Sequence, residues 1–572
     1  MLPNSPCPAE TPDKPLRCLL IQPKFAETNY WNFVEGARAI GAKATAPPLG
    51  LLTVAGLLPD CWQLKLVDLN VAPLTDDDWR WADVICTGGM LPQQPGTLEI
   101  ISRANQDEKY VVVGGPDPTS QPELYSSADA VVTGEGESSI PAWLQSWRDG
   151  QPYGEFAPTE TVDIRNSPIP KFELISFDDY LHVGLQTSRG CPYNCEFCDV
   201  IELFGRKPRV KTPEQWTAEL QHLYDLGYRG WVDIADDNFI GNRQKIKPLL
   251  HETAKWAKEH RYPFVLSTEA SVNLADDNEL LELMTACQFR YIFLGIETPD
   301  PEVLAQTQKR INTVKPLVER IDKIYAAGIS VTAGFILGFD SEKGSVDEAL
   351  GDFIEESSII LAMVGLLFAL PNTQLTRRLT RERRLISHDH EWIADSVPEY
   401  RILVTKGADQ TTDGLNFVTQ RDRVEIYEDL YRVISRIYSP RAFMDRVLAT
   451  TTKLNIKSKH LPGWWEGRRM LRGFLSVSTS LLRHRDTRWL YLRNAWKSFW
   501  MGPAKLEFAH TTMGSYLHFQ RQSKLMQRSL LRSIQYAKYE ASYPRSVADA
   551  EKLRPPTDLP VLASASQNCD NK

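Results

Sequence analysis

Short apolar runs alternate with helix-length segments over the first 370 residues, and this alternation constrains the fold more than any other feature. Strands separated by helices form parallel sheets, because the connecting helix returns the chain to the starting edge. The sequence therefore predicts an α/β domain over residues 15–150, with helices on both faces of a Rossmann-like sheet. Five runs in this block are predicted strands: 17–22, 62–68, 82–87, 110–114 and 130–133.

A second block continues the pattern from residue 183. Helices such as 213–226 and 246–260 are predicted between its strands. This repetition predicts a partial (βα)6 barrel of the TIM type over residues 175–400, with its chemistry at the C-terminal strand ends. The six predicted strands are 183–187, 231–235, 264–268, 291–297, 330–337 and 359–370.

The last third of the chain lacks strand alternation. Residues 411–546 are predicted to form an α-helical domain, with one helix over 421–438 and a turn at Pro440. The polar segment 547–572 is predicted to be a disordered tail. The longest apolar run is too short to cross a bilayer, and the N-terminus lacks the pattern of a signal segment. We therefore expect a cytoplasmic protein.

Three cysteines follow the first predicted barrel strand. Cys191, Cys195 and Cys198 have the spacing C-x3-C-x2-C, and the next cysteine downstream is Cys287. Since a 4Fe–4S cluster normally takes four cysteine ligands, a cluster on this loop would leave one iron open, as catalytic metals often are. A zinc site would need a fourth ligand. A disulfide with a spare thiol is disfavoured because six of the nine cysteines are scattered singly.

This motif, with Phe197 just before the last cysteine, resembles the signature of the radical S-adenosylmethionine (SAM) enzymes. The resemblance implies that the three cysteines bind a 4Fe–4S cluster whose open iron chelates SAM. It also implies an external electron donor and a 5′-deoxyadenosyl radical. Helix capping is the alternative explanation for polar residues at strand ends. The candidate SAM contacts are Phe197, Asp236, Asp237, Ser267, Glu269, Gly295 and Glu297.

Glycines cluster at the ends of the predicted N-terminal strands. Glycine lets a ligand approach the backbone closely, although turn glycines without a ligand explain the pattern equally well. Together with the segment 47–52, these blocks resemble the cobalamin-binding domain of one radical SAM subclass. No histidine precedes His182, so this domain cannot supply an imidazole ligand to cobalt. The candidate cobalamin contacts are Thr87, Gly88, Gly89, Gln93, Gly114, Gly115, Gly134 and Glu135.

Basic charge is concentrated in the predicted helical domain. Residues 451–546 contain 18 Lys and Arg against 4 Asp and Glu, a balance of +14 in a chain whose net charge is −8. Such a segment predicts an anionic partner, and we expect peripheral contact with a membrane surface rather than with nucleic acid. A solvated basic face over a Trp-rich core is the alternative. The tryptophans concerned are Trp464, Trp465, Trp489, Trp496 and Trp500.

Blocks over about residues 40–450 resemble a branch of these enzymes that includes the hopanoid methylases. The resemblance implies a cobalamin-dependent radical SAM methyltransferase acting on an unactivated carbon of a small-molecule or lipid-like substrate. A radical cyclase or rearrangement enzyme, with cobalamin as electron carrier or absent, is the alternative. We expect the substrate cavity between the first domain and the barrel mouth, partly closed by the C-terminal helices. No catalytic residue is predicted beyond the cluster ligands.

Overall fold

The computed structural model describes residues 15–25, 29–30, 33–39, 41–158, 160–386, 411–412, 414–456, 459–460 and 463–542. The predicted tail 547–572 lies outside these residues, as does the end of the predicted barrel segment beyond residue 386. The described chain contains a parallel α/β sheet, a second parallel sheet and a set of C-terminal helices. This architecture confirms the fold class predicted from the sequence.

The N-terminal sheet contains six parallel strands in the order β2-β1-β3-β4-β5-β6. All five predicted strands are present, and a short sixth strand of three largely exposed residues joins the edge. That strand carries no apolar run, so the pattern could not predict it. The strands are β1 (Arg17–Gln22), β2 (Gln63–Asp68), β3 (Val84–Gly88), β4 (Tyr110–Gly114), β5 (Ala130–Val132) and β6 (Gly154–Phe156).

Helices cover both faces of this sheet. Leu19 and Ile21 point into one apolar cluster, whereas Cys18 and Leu20 point into the cluster on the opposite face, as the two-residue side-chain period of a strand requires. Burial on both faces explains why the strands are almost continuously apolar. The helices are α1 (Val34–Ala39), α2 (Leu49–Leu57), α3 (Asp76–Trp81), α4 (Gln94–Gln106), α5 (Pro116–Ser120) and α6 (Gly136–Arg148).

The second sheet also contains six parallel strands, in the order β14-β13-β12-β11-β10-β7. A two-stranded antiparallel hairpin, β8 with β9, stands beside it and flanks the cysteine loop. The predicted strand over 359–370 is shorter in the structure, because only its middle pairs with β13. The strands are β7 (Val183–Leu185), β8 (Ser188–Arg189), β9 (Arg209–Val210), β10 (Gly230–Ile234), β11 (Phe264–Ala270), β12 (Phe289–Glu297), β13 (Ser330–Leu337) and β14 (Ala362–Leu366).

Helices connect the strands of the barrel and pack against its outer side. Thr212 and Asn242 cap α8 and α9 through their side chains, which accounts for where these two predicted helices begin. The helices are α7 (Val200–Leu203), α8 (Pro213–Asp225), α9 (Arg243–Glu259), α10 (Asn278–Ala286), α11 (Pro301–Gln306), α12 (Leu317–Ala327), α13 (Val346–Glu356) and α14 (Gln374–Arg381).

The C-terminal part is helical, as predicted, and shares one continuous apolar core with the barrel. Pro440, which was predicted to mark a turn, instead occupies the first position of a helix capped by Ser439. A proline is tolerated there because its missing N–H has no partner within the helix. The helices are α15 (Arg423–Ile437), α16 (Pro440–Lys453), α17 (Trp464–Arg483), α18 (Arg485–Trp500) and α19 (Pro503–Ser542).

An N-terminal segment bridges the two edges of the open barrel. At one edge, the Tyr30 hydroxyl donates to the Val364 carbonyl oxygen of β14 at 3.1 Å. At the other edge, the His182 amide just before β7 donates to the Thr45 carbonyl oxygen at 3.1 Å. Helix α19 packs over this segment, and its Phe519 stacks on Tyr438 with ring centroids 5.0 Å apart. The open side of the barrel is therefore covered.

Candidate active site

The cysteine loop begins at the hairpin strand β8 and ends in the short helix α7. The Cys191 amide donates to the Gly205 carbonyl oxygen at 3.3 Å, and the Cys198 amide donates to the Cys195 carbonyl oxygen at 3.3 Å. The Asn238 amide nitrogen lies 3.7 Å from the Cys191 sulfur. These contacts bend the loop at the C-terminal end of the barrel, where barrel enzymes place their reactive groups.

The three thiols lie in one another's electrostatic field. Burial raises the pKa of Cys195 and Cys198, and charge on the other cysteines raises the pKa of Cys198 further. Thiols in this setting become thiolates when iron neutralises their charge. The three cysteines therefore fit one face of an iron–sulfur cluster. Within the described part of the chain, no three Cys, His, Asp or Glu side chains, the three cysteines included, are arranged as the ligands of a single metal ion.

Asp236 supports the start of the cysteine loop. One oxygen of its buried carboxylate accepts from the Thr187 amide at 2.7 Å and from the Ser188 amide at 2.9 Å. The other oxygen accepts from the two hydroxyls of the same residues, at 2.7 Å for Ser188. All four bonds connect the residue that follows the end of β10 to Thr187 and to Ser188, the first residue of β8. The predicted contact of Asp236 with the SAM ammonium group stays a prediction.

Two further carboxylates lie beside Asp236. Asp237 accepts from the Gly190 amide at 3.0 Å, and burial raises its pKa to about 6. Burial also raises the pKa of Glu269 to about 8, assisted by the charges of Asp233, Asp237 and Asp236. Glu269 is therefore largely protonated at neutral pH. Ser267, another predicted SAM contact, donates to Asp233 and accepts from the indole of Trp231.

Glu297 lies at an irregularity between β12 and β13. The register shifts between Gly295 and Glu297, and Glu297 has a φ of +65°, a conformation that non-glycine residues adopt mainly where function or tertiary contacts require it. Its carboxylate pairs with Lys309, whose ammonium group also lies near Cys195 and 5.9 Å from the Phe197 ring. A Cβ atom on Gly295 would lie 2.5 Å from both groups of the pair.

Lys309 is a site residue that the sequence did not predict. It follows α11, outside the strand ends where polar residues were sought. Burial alone would lower the pKa of Lys309, but the charges of Glu297 and Cys195 outweigh this effect and leave that pKa raised. A buried cation beside the cluster loop and a carboxylate beside that cation match the two charged groups of an amino acid. The two groups neutralise each other in this structure, and the predicted contact of Glu297 with SAM stays a prediction.

The predicted cobalamin contacts lie at the carboxyl edge of the first sheet. A Cβ atom on Gly88 would lie 1.8 Å from the Gly114 carbonyl oxygen, and one on Gly134 would lie 2.5 Å from Pro158. Gly134 also has a φ of +68°. Gly89 and Gly115 pack backbone against backbone in the same way. Close packing within the protein therefore requires glycine along this edge, called here the glycine shelf, and its contact with a corrinoid ring stays a prediction.

Three of the predicted cobalamin contacts have polar side chains, and all three form hydrogen bonds or ion pairs within the protein. The Thr87 hydroxyl donates to the Ile21 carbonyl oxygen at 3.0 Å, and the buried Gln93 amide donates to the Pro23 carbonyl oxygen at 2.9 Å. The buried carboxylate of Glu135 accepts from two arginines. These bonds hold the protein together, and a direct contact of these side chains with cobalamin stays a prediction.

The arginines that bind Glu135 join the first domain to the cysteine loop. Arg189, two residues before Cys191, binds Glu135 at 2.8 Å and Glu137 at 2.7 Å. Arg209, its partner in the β8–β9 hairpin, binds Glu135 at 2.7 Å. The sequence analysis missed both arginines. A charged residue between the strand and the cysteine motif was the available signal, because a buried charge requires a partner.

A second contact joins the same two edges. The Asn372 side chain, which follows β14, donates to the Ser120 carbonyl oxygen of α5 at 2.8 Å. The loops after β4 and β5 therefore both touch the C-terminal side of the barrel. This arrangement turns the glycine shelf of the first domain towards the cysteine loop.

A cavity of about 1660 Å³ lies inside the barrel and extends beneath the C-terminal helices. Its inner wall contains inward-facing residues of the strands, among them Trp231, Glu269 and Tyr291, and its outer wall includes Leu471 and Phe474 of α17. The lining is predominantly apolar. The sequence placed the substrate cavity between the first domain and the barrel mouth. The cavity described here occupies the barrel lumen, and the expected location of the substrate cavity stays a prediction.

No helix among the described residues is both long enough and apolar enough to cross a membrane.

Sequence profiles of three families match consecutive parts of the chain. The B12 binding domain matches residues 37–144, and the radical SAM superfamily matches residues 185–353. A domain of unknown function matches residues 373–531. The first match covers the glycine shelf, and the second covers the cysteine loop together with Glu297 and Lys309.

Two relatives share more than a third of their aligned residues with this chain. An uncharacterized methyltransferase of Synechocystis sp. is 38% identical over 521 residues, which cover 90% of this chain and 93% of the relative. The hopanoid C-2 methylase of Rhodopseudomonas palustris is 40% identical over 351 residues, which cover 61% of this chain and 67% of that protein.

A solved structure shares the fold over most of the chain. The cobalamin-dependent SAM radical enzyme OxsB, with aqua-cobalamin bound, matches with a TM-score of 0.55 at 15% identity, covering 94% of this chain and 83% of OxsB. This shared fold agrees with the matches to the B12 binding and radical SAM profiles and with the sequence identity to the relatives. The chain belongs to the cobalamin-dependent radical SAM methyltransferases, a family of enzymes that use a 4Fe–4S cluster, SAM and cobalamin.

Proposed function

We propose that this enzyme transfers a methyl group to an unactivated carbon of an apolar, lipid-like substrate bound in the barrel lumen. The observation that carries the proposal is the cavity that runs from the aromatic residues of α17 to Glu269 at the end of β11. Its volume of about 1660 Å³ exceeds the roughly 300–1,000 Å³ of ordinary small-molecule pockets. The lumen can therefore take a large apolar molecule.

The chemistry of the lining supports a lipid over a polar metabolite. Trp231, Tyr291, Phe293 and Met363 present apolar surface towards the lumen. Glu269 also lines the cavity, and burial raises the pKa of its carboxyl to about 8, which favours the neutral form in this apolar setting. The likeness to the R. palustris relative, a hopanoid C-2 methylase, also favours a lipid.

Different residues of the site bind the cofactors and hold the cysteine loop in position. The cluster, SAM and cobalamin together supply radical formation and the transferable methyl group when bound. Asp236 and Asp237 hold the cysteine loop, and Glu297 with Lys309 offers charges to the amino acid part of SAM. Tyr30 and Thr45 contact the two edge strands of the barrel or the residue beside them, and Phe519 of helix α19 packs against Tyr30.

Two partners belong to the proposal. An external donor supplies the electron that the cluster needs, and the basic region 451–546 contacts a membrane surface from which the substrate comes. The basic balance of this region supports the second partner. The protein would then reside in the cytoplasm and associate with a membrane surface.

A labelling experiment tests the proposed reaction. Anaerobically purified enzyme with reductant, cobalamin and trideuteromethyl-labelled SAM is incubated with a pentacyclic triterpene or, separately, with a polar metabolite mixture. We expect the labelled methyl group on the triterpene, together with 5′-deoxyadenosine. Label on a polar product alone would refute the lipid class, and a changed substrate skeleton without label would favour the rival cyclase.

A cavity variant provides the structural control. Thr332→Trp fills the lumen from β13, whereas Val314→Trp places the same side chain on an exposed position outside the cavity. We expect the first variant to lose triterpene methylation and to keep its iron content, and the second to behave as the unmodified enzyme. Equal activity of both variants would show that the substrate does not enter the lumen.

A further inference from the structure

We propose that the outward faces of α17 and α18 dock on an anionic lipid bilayer and that the barrel cavity opens into this docked surface, so that substrate enters from the bilayer. This inference rests on the proposed lipid-like substrate. It assigns a defined helix face, called here the docking face, and a route to the active site. The docking face consists of Trp464, Leu471, Phe474, Leu475, Leu482, Trp489, Leu492, Trp496, Phe499 and Trp500.

Helix α18 buries its polar side and exposes its apolar side, which is the opposite of an ordinary surface helix. Its buried stripe is polar and includes Tyr491 and Asn494, whose side chains bond to Ser478 and to the Met444 carbonyl oxygen, both at 2.7 Å. The opposite stripe is aromatic. Trp489 is 74% exposed, Trp496 64% and Trp500 71%. A helix that turns its polar side inwards and its tryptophans outwards is suited to an apolar or interfacial environment on its outer side.

Helix α17 continues the same surface. Gly473, Val477 and Leu481 are buried at four-residue spacing, so one narrow stripe suffices to pack this helix on the core. Leu471 and Leu475 lie outside that stripe and are 60% and 57% exposed. Both helices therefore expose several large apolar side chains, whereas an ordinary protein surface exposes such side chains singly.

Basic side chains accompany this apolar surface. Arg468, Arg472, Arg483, Arg485 and Lys497 are exposed on the same two helices. Tryptophan prefers the boundary between lipid headgroups and acyl chains, and lysine and arginine near it favour anionic headgroups. The positive charge of this face complements an anionic bilayer, and this is the occupant that we assign to it. Protein interfaces are also enriched in tryptophan and arginine, so a protein partner is an outcome that the test distinguishes.

The cavity reaches the docking face. Trp464, Leu471 and Phe474 belong to the docking face and also line the cavity whose inner end lies at Glu269. Arg468 and Arg472 line the cavity at the same place. A lipid that leaves the bilayer at α17 would therefore pass from one apolar surface to another without crossing bulk water.

Vesicle binding tests the docking face directly. The full-length protein is sedimented with vesicles of phosphatidylcholine alone or of phosphatidylcholine with phosphatidylglycerol. We expect binding to the anionic vesicles, weakened by added salt, and a loss of about tenfold or more in affinity when Trp489, Trp496 and Trp500 are replaced by alanine. A control variant replaces Leu124 and Val314, two exposed apolar residues elsewhere, and should bind normally.

The outcomes separate this inference from the proposed function. Absence of vesicle binding, or binding that the triple variant retains, overturns the docking face. Light scattering that shows a dimer of the unmodified protein and a monomer of the triple variant would reassign the face to a second copy of the chain. When the triterpene is supplied in cyclodextrin, the triple variant should methylate it normally. If the unmodified enzyme binds vesicles but methylates no lipid, the proposed function fails and the docking face stands.

Discussion

Replacement of Asp236 distinguishes support of the cysteine loop from direct binding of SAM. In Asp236→Asn, the retained oxygen can still accept from the Thr187 and Ser188 amides, while the new amide donates to hydroxyls that are free to rotate. In Asp236→Ala, two buried backbone N–H groups lose their acceptor. At about 1–3 kcal/mol for each unsatisfied donor, the alanine variant costs the loop about 2–6 kcal/mol.

The cost falls on the loop rather than on the whole protein. Strands β7 and β10 stay paired through Val183, Gly184 and Leu185, so the barrel persists while the chain before Cys191 loses its support. We expect Asp236→Ala to lower iron content and cluster absorbance towards the level of Cys198→Ala, which removes a predicted cluster ligand. Asp236→Asn should keep both its iron and its affinity for SAM.

Anaerobic iron analysis, visible absorbance and SAM binding by equilibrium dialysis provide the measurement. Full iron content in Asp236→Ala would refute the supporting role. Full iron with strongly weakened SAM binding in Asp236→Asn would show instead that the carboxylate binds the nucleotide, as the sequence analysis predicted.

Three further predictions concern the contacts around the loop and the first domain. Burial alone would raise the pKa of Glu137, but the bonds and charge of Arg189 lower it to about 2. The pair therefore stabilises the fold fully above the ordinary pKa of 4.5 and loses its contribution, of up to about 3 kcal/mol, as the pH falls towards 2. Arg189→Gln should flatten this acid dependence in denaturant unfolding, and an unchanged pH profile would contradict the assignment. Glu297→Gln should weaken SAM binding about tenfold while iron content stays unchanged; parallel loss of iron would indicate a structural role. Gly134→Ala should lower cobalt bound per chain because its Cβ meets Pro158, whereas Gly150→Ala, also at positive φ but in open space, should bind cobalt normally; equal cobalt in both variants would refute the shelf.

Local patterns were sufficient for the fold class, and they also predict the cluster ligands. Two-residue alternation and strand-to-strand spacing are short-range properties, so the order of strands and helices can be read along the chain. The three cysteines lie within eight residues of one another, and their chemistry depends little on distant parts of the protein. The family resemblance carried by the same segments accounts for the cofactors.

The contacts that organise the site depend on residues far apart in sequence. Arg189 meets Glu135 across 54 positions, and Asn372 meets Ser120 across 252 positions. Glycines that resemble ligand contacts also serve close strand packing, which is visible only once β3 and β4 are side by side.

The position of the cavity in the barrel lumen and the outward orientation of the docking face likewise depend on the tertiary structure. The sequence showed that residues 451–546 are basic and rich in tryptophan, but it could not show which side of each helix faces outwards. That choice depends on which stripe finds partners in the protein, and in α18 the polar stripe bonds to α16 and α17. The tryptophans face outwards because burial is settled by packing between distant segments, whereas composition is a property of the chain alone.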